Sequence, residues 1–90
     1  MPKLEKEIVI INPQGLHARP AAMFVQLATK YDSQVTIEKG KEIVNGKSIM
    51  GILMLGVQKG TTLKVITDGE DAQIALEELC NFLSREEDHG

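Results

Sequence analysis

The spacing of hydrophobic and polar positions changes several times along the chain, and each change marks an element. Residues 3–11 alternate at first and then become wholly apolar in Ile8-Val9-Ile10-Ile11. This predicts a strand with at least its second half buried. The run stops at Asn12-Pro13, a turn initiator, and Gly15 follows. Across residues 18–30 the apolar positions are Ala21, Phe24, Val25, Leu27 and Ala28, and Tyr31 continues the same face. That is helical spacing, and the face is expected to pack on a sheet. Tyr31-Asp32-Ser33 breaks the helix. Residues 34–39 then alternate, with Val35 and Ile37 opposite Thr36 and Glu38, as in a half-buried strand. Gly40 turns the chain into residues 41–45, where Ile43 and Val44 are apolar, and the pair reads as a β-hairpin. Ser48 suits an N-cap, and residues 49–55 read as a short helix ended by Gly56. After the Lys59-Gly60 turn, residues 61–67 set Leu63, Val65 and Thr67 against Thr62, Lys64 and Ile66, predicting another strand. Asp68-Gly69-Glu70-Asp71 carries turn and capping chemistry. Ala72, Ala75, Leu76, Leu79 and Leu83 then share one face of a last helix that reaches about Ser84.

The order is strand, helix, strand, strand, helix, strand, helix, with no internal repeat and no linker, so residues 1–90 read as a single domain. One sheet with amphipathic helices predicts a two-layer α+β sandwich, its helices on one face and its other face in water. The short middle helix is ambiguous. Ile49, Met50, Ile52, Leu53, Met54 and Leu55 are all apolar. Either the segment is mostly buried, or part of it is an exposed docking surface to which methionines lend adaptability. Its periodicity does not say which residues face out.

Composition narrows the function. The net charge of −3 and the presence of only Phe24, Tyr31 and Phe82 as aromatics argue against nucleic-acid binding, which needs basic patches and stacking rings. No run is long enough to span a bilayer, and the first residues carry no apolar signal region, so a cytoplasmic protein is expected. A single cysteine, Cys80, suits a reducing compartment and reads as a small packing residue. The acidic Glu86-Glu87-Asp88 tail reads as solvated and frayed, and His89 as disordered with it.

The chemistry concentrates at His17, which follows a tight loop and stands just ahead of a helix. The first N–H groups of a helix lack internal partners and form a partly positive anion site. An imidazolium is disfavoured beside that end, so His17 is expected in its neutral, nucleophilic form. Such an imidazole can attack phosphorus. The phosphoryl oxygens would then meet helix N–H groups and the guanidinium of Arg19. Pro20 lacks an N–H, but in the first helical turn none is needed. No other chemistry assembles. His17, Cys80 and His89 lack metal-ligand spacing, no nucleotide-cradling glycine-rich loop is present, and neither a metal nor a cofactor is expected.

Gly15-Leu16-His17-Ala18-Arg19-Pro20-Ala21 resembles the active-site signature of the HPr family, the histidine-containing phosphocarriers of the bacterial phosphoenolpyruvate-dependent sugar phosphotransferase system. A second stretch, Asn45-Gly46-Lys47-Ser48-Ile49-Met50-Gly51, resembles that family's regulatory serine segment. The resemblance covers nearly the whole chain, since the separation of the motifs and the chain length both fit. It implies an HPr-like open-faced sandwich with a four-stranded antiparallel sheet and three helices on one face. It implies that His17 accepts a phosphoryl group from phosphorylated enzyme I, on its δ1 nitrogen, and donates it to IIA domains of sugar permeases, with Arg19 orienting the phosphate. It further implies phosphorylation of Ser48 by a dedicated HPr kinase/phosphorylase, and a partner surface at Ile49, Met50 and Leu53. The protein would be a stoichiometric carrier and not a turnover enzyme, and nothing in the sequence calls for more than a monomer. Two alternatives stay open. One is a purely regulatory binding protein, a Ser48-phosphorylated corepressor of a catabolite-control transcription factor, although family members given over to regulation alone lack the histidine. The other is a nitrogen-regulatory paralogue with the same chemistry and different partners.

Overall fold

In the computed structural model, described here for residues 2–85, seven elements follow one another. They are β1 (Lys3–Val9), α1 (Ala18–Ala28), β2 (Gln34–Lys39), β3 (Glu42–Asn45), α2 (Ile49–Met54), β4 (Thr62–Asp68) and α3 (Ala72–Leu83). The order and type of every element agree with the sequence periods. All pairings are antiparallel, and the strand order is β1-β4-β2-β3. Because β4 lies antiparallel to both β1 and β2, those two strands run parallel to each other. Parallel strands need a long crossover, and α1 supplies it. The last strand then fills the gap between them, setting Ile8 opposite Leu63 and Ile37 opposite Val65.

The alternating side chains Ile8, Leu63, Val65, Val35 and Ile37 line the covered face of the sheet. Phe24 of α1, Ile52 of α2, and Leu79 and Phe82 of α3 close over it. The Phe24 and Phe82 rings meet at a centroid distance of 6.2 Å and an interplanar angle of 57°, a tilted arrangement favoured by the ring quadrupoles. The buried polar side chains of Asn12, Ser33 and Thr67 are each hydrogen-bonded. Thr67 Oγ1 donates to the carbonyl of Ala72 at 2.9 Å, joining the end of β4 to the start of α3.

Two expectations change. The apolar run at the end of β1 is not buried throughout: Ile8 and Ile10 point inward, whereas Val9 and Ile11 are 52% and 38% exposed. Helices cover one sheet face only, so alternation persists even where every residue is apolar. Asp71, read as capping chemistry, stands at the N-cap position of α3 without a side-chain cap bond. Its carboxylate instead accepts hydrogen bonds from the Asp32 amide at 2.9 Å, from the Ser33 amide at 3.0 Å and from the Ser33 hydroxyl. These bonds, the Ser33 hydroxyl first and the Asp32 amide next, hold the carboxyl below its ordinary range. The side chain therefore ties the break after α1 to the start of α3.

Candidate functional site

The loop at residues 12–16 is braced by its own hydrogen bonds before His17 is reached. Buried Asn12 folds it around itself: its Oδ1 accepts from the Gln14 amide at 3.2 Å, and its Nδ2 donates to the Gly15 carbonyl at 3.2 Å. The Gly15 amide donates back to the Asn12 carbonyl at 2.9 Å. Gly15 has φ 68, in the region that favours glycine, and a Cβ there would lie 2.3 Å from the Val57 carbonyl oxygen. Two backbone segments meet at this point, and the Leu16 amide donates to that same Val57 carbonyl at 3.1 Å. Just upstream, Ile10 donates to the Thr61 carbonyl at 2.9 Å and accepts from the Gly60 amide at 2.7 Å. The loop that delivers His17 is thus held to the segment between α2 and β4 at its end, by Leu16, and just before its start, by Ile10.

His17 is the N-cap residue of α1, with extended backbone angles (φ −85, ψ −170). The first helical bond runs from the Ala21 amide to the His17 carbonyl at 3.0 Å. Helix geometry therefore directs the N–H groups of the first turn towards the end where His17 stands. The residue is half-buried, and its Nε2 atom is buried. Arg19 is exposed in that first turn, so it shares the helix start with His17, and Pro20 is buried beside them. Sequence spacing anticipated this placement.

Ser48 is the N-cap of α2, and its Oγ accepts from the Gly51 amide at 3.0 Å. Its own amide donates to the Asn45 carbonyl at 3.1 Å. Lys47, its neighbour, sends its ammonium to the Tyr31 carbonyl at 2.7 Å, tying the start of α2 to the chain just past α1. The ambiguity of α2 resolves into two sides. Ile52 and Leu55 are buried, and α2 packs on α1 and β3. Ile49 and Met50 are exposed, the latter at 67%. Leu53, expected to face outward, is half-buried against the core. Met54 instead is 75% exposed, and Met23 of α1 is exposed as well. Period alone could not find Met54, because an apolar residue in an apolar run gives no sign of facing out.

Cys80 is buried in α3, and burial pushes its thiol above the ordinary value, with the Lys6 ammonium partly offsetting this. Its surroundings are those of a packing residue. Among the described residues, no group of three or more His, Cys, Asp or Glu side chains could hold a metal ion. Among the same residues, no helix is long and apolar enough to cross a membrane. His89 and the acidic tail lie outside the described residues.

Residues 4–85 match the model of the family described as PTS HPr component phosphorylation site. The chain is 45% identical over 83 residues to the HPr-like protein Crh of Halalkalibacterium halodurans, which covers 92% of this chain and 99% of that protein. The crystal structure of phosphocarrier protein HPr from Bacillus anthracis superposes with a TM-score of 0.88 at 40% identity, covering 92% of this chain and 99% of the other. Crh of Bacillus subtilis, whose crystal structure is a dimer with a swapped domain, gives 0.73 at 44% identity over 89% and 92% of the two chains.

Proposed function

The chain belongs to the HPr family, and from that premise we propose that it is a phosphocarrier working through His17. The observation that carries this reading is the imidazole at the start of α1, on a loop held by Asn12 and Val57, with Arg19 in the same helical turn. With Nε2 buried, phosphorus reaches the ring at Nδ1. The tautomer that keeps its proton on Nε2 leaves the Nδ1 lone pair for attack. A P–N bond forms at His17 as the bond to the donor, phosphorylated enzyme I, breaks, and the electron pair leaves with the donor. Charge on the phosphoryl oxygens is met by the helix N–H groups and the Arg19 guanidinium. The P–N bond is labile, so the same geometry lets the group pass onward to a IIA domain of a sugar permease. No nucleotide or metal of the protein's own enters these steps.

Ile49, Met50 and Met54 form the apolar side on which such partners would dock transiently, with Leu53 contributing less because it is half-buried. Phosphorylation at Ser48 by an HPr kinase/phosphorylase would add about −1.5 to −2 charges at the N-cap of α2, next to that side. This would weaken partners that bury the patch. A monomer is taken as the working unit, whereas the similar Crh crystal structure is dimeric.

The test is incubation with phosphoenolpyruvate, magnesium and catalytic enzyme I, followed by intact mass and acid treatment. One phosphate is expected, lost in acid and absent in His17→Ala, with the variant's circular dichroism unchanged. No gain with active enzyme I rejects the reading. The second reading is a regulatory protein acting through phosphorylated Ser48 as corepressor of a catabolite-control transcription factor, and it is favoured by the 45% identity to an HPr-like protein Crh. It predicts ATP-dependent labelling at Ser48 by a cognate kinase with no acid-labile phosphate at His17.

A further inference from the structure

A lysine outside both phosphorylation motifs holds the end of α2. This helix has six residues with Gly51 in its interior. Helices of that length are not stable alone, so what binds their ends decides whether they form. Ser48 caps one end. At the other, Lys39 Nζ donates to the carbonyl of Leu55, the C-cap residue, at 2.6 Å. Lys39 is half-buried and is the last residue of β2. An ammonium on the last carbonyl of a helix makes a charge-assisted bond and complements the negative end of the helix.

The chain continues from Leu55 directly to the site. Leu55 and Val57 are both buried, with Gly56 at φ 61 turning the backbone between them. The Val57 carbonyl accepts the Leu16 amide at 3.1 Å and faces Gly15. Leu16 precedes His17. One strap of three residues therefore connects the C-terminal end of α2 to the loop that presents the imidazole. We infer that Lys39 is a positioning residue, whose ammonium fixes the strap at residues 55–57 and through it sets both α2 and the His17 loop. The structural half stands on these contacts, while its consequence for transfer rests on the phosphocarrier reading.

The test is Lys39→Met in the full chain, which keeps most of the aliphatic stem and removes the ammonium. Amide hydrogen exchange followed by NMR reads the strap directly. Loss of one charge-assisted bond at a local opening corresponds to a rise of about tenfold in exchange at the Leu16 amide. The amides paired between β1 and β4 are expected to keep their wild-type rates. Transfer from phosphorylated enzyme I is expected to be slower than in the wild type, because the loop that presents His17 is less firmly placed for docking. Unchanged Leu16 exchange overturns the proposal, and so does an equal rise at all amides, which would make Lys39 a contributor to global stability only. If the wild-type protein gains no phosphate at all, the phosphocarrier reading falls, and the exchange comparison still decides the role of Lys39.

Discussion

Replacing Gly15 by alanine tests the contact that fixes the His17 loop. Two separate penalties arise. The first is conformational: a side-chain-bearing residue at φ 68 costs about 1–2 kcal/mol. The second is steric: the new Cβ would stand 2.3 Å from the Val57 oxygen and 2.8 Å from Gln58 Cα, where ordinary contact begins at 3.4 Å. Both neighbours are backbone, so no side chain can swing aside, and the two segments must separate by about 1 Å, roughly the shortfall from normal contact. That separation disrupts the Leu16 amide bond to Val57, now 3.1 Å, which contributes about 1 kcal/mol. The total is about 2–3 kcal/mol, or a fall in Tm of roughly 8–24 °C for a domain of this size. Gly40→Ala is the matched control: its φ is 59, and nothing lies within 4 Å of its Cβ, so it carries the first penalty alone. Urea unfolding of both variants separates the two terms. Equal unfolding free energies, to within about 0.5 kcal/mol, would refute the claim that the loops are locked backbone to backbone.

Other substitutions probe the caps and the Asp71 tie. Ser48→Ala leaves the Gly51 amide without its 3.0 Å acceptor and should cost about 1 kcal/mol in urea unfolding. Ser48→Asp keeps a capping oxygen and should stay within about 0.5 kcal/mol of wild type, while slowing charging by enzyme I. A charging rate equal to wild type would remove α2 from that interface. The Asp71 carboxyl is held below its ordinary range by the Ser33 hydroxyl and the Asp32 amide, so it favours folding above its unfolded value and loses that contribution as pH falls through the folded one. Asp71→Asn should therefore show a smaller drop in urea midpoint than wild type between about pH 7 and about pH 3, and an identical drop would mean that the tie does not feel pH.

What the sequence revealed and what it hid divide along physical lines. Elements whose signal is local were legible: the alternation of Val35 and Ile37, the helical spacing from Ala21 to Ala28, and Ser48 placed to cap a helix. The placement of His17 and Arg19 at one helix start also follows from adjacent residues alone. The strand order β1-β4-β2-β3 could not be read from the spacing, because pairings between distant segments leave no periodic trace, and the resemblance supplied the four-stranded antiparallel sheet. Within the stretch read as turn and capping chemistry, Asp71 does stand at the N-cap, but the bonds of its side chain were hidden because its partners, Asp32 and Ser33, lie 39 and 38 positions away. In α2 the outward side depends on where the sheet and α1 lie, so Leu53, which the resemblance placed on the partner surface, is half-buried, and Met54, for which nothing was expected, is exposed.

The form of the site bears on how it must work. An enzyme acting on a small phosphorylated substrate would enclose it in a hollow of about 300–1,000 Å³ lined by convergent polar groups. A hollow of about 550 Å³ does exist here, but it is lined by Asp32, Asp68, Glu70 and Asp71, with Gln34 and Gly69. Four carboxylates would repel a phosphoryl group, and His17 is not among the residues lining it. His17 stands instead half-buried at the start of α1, with exposed Arg19 beside it and the exposed side of α2 on the helix packed against α1. A phosphoryl group arriving there is shielded from water only when another surface covers it. On the phosphocarrier proposal the donor and the acceptor would therefore bring the enclosing walls, and the exposed apolar residues Ile49, Met50 and Met54 are where they would rest. On that argument, polar replacement of Met54 should weaken partner docking more than replacement of half-buried Leu53 does by loss of contact. The competing outcome, a larger loss at Leu53 with no change in folding stability, would place the docking face elsewhere on α2.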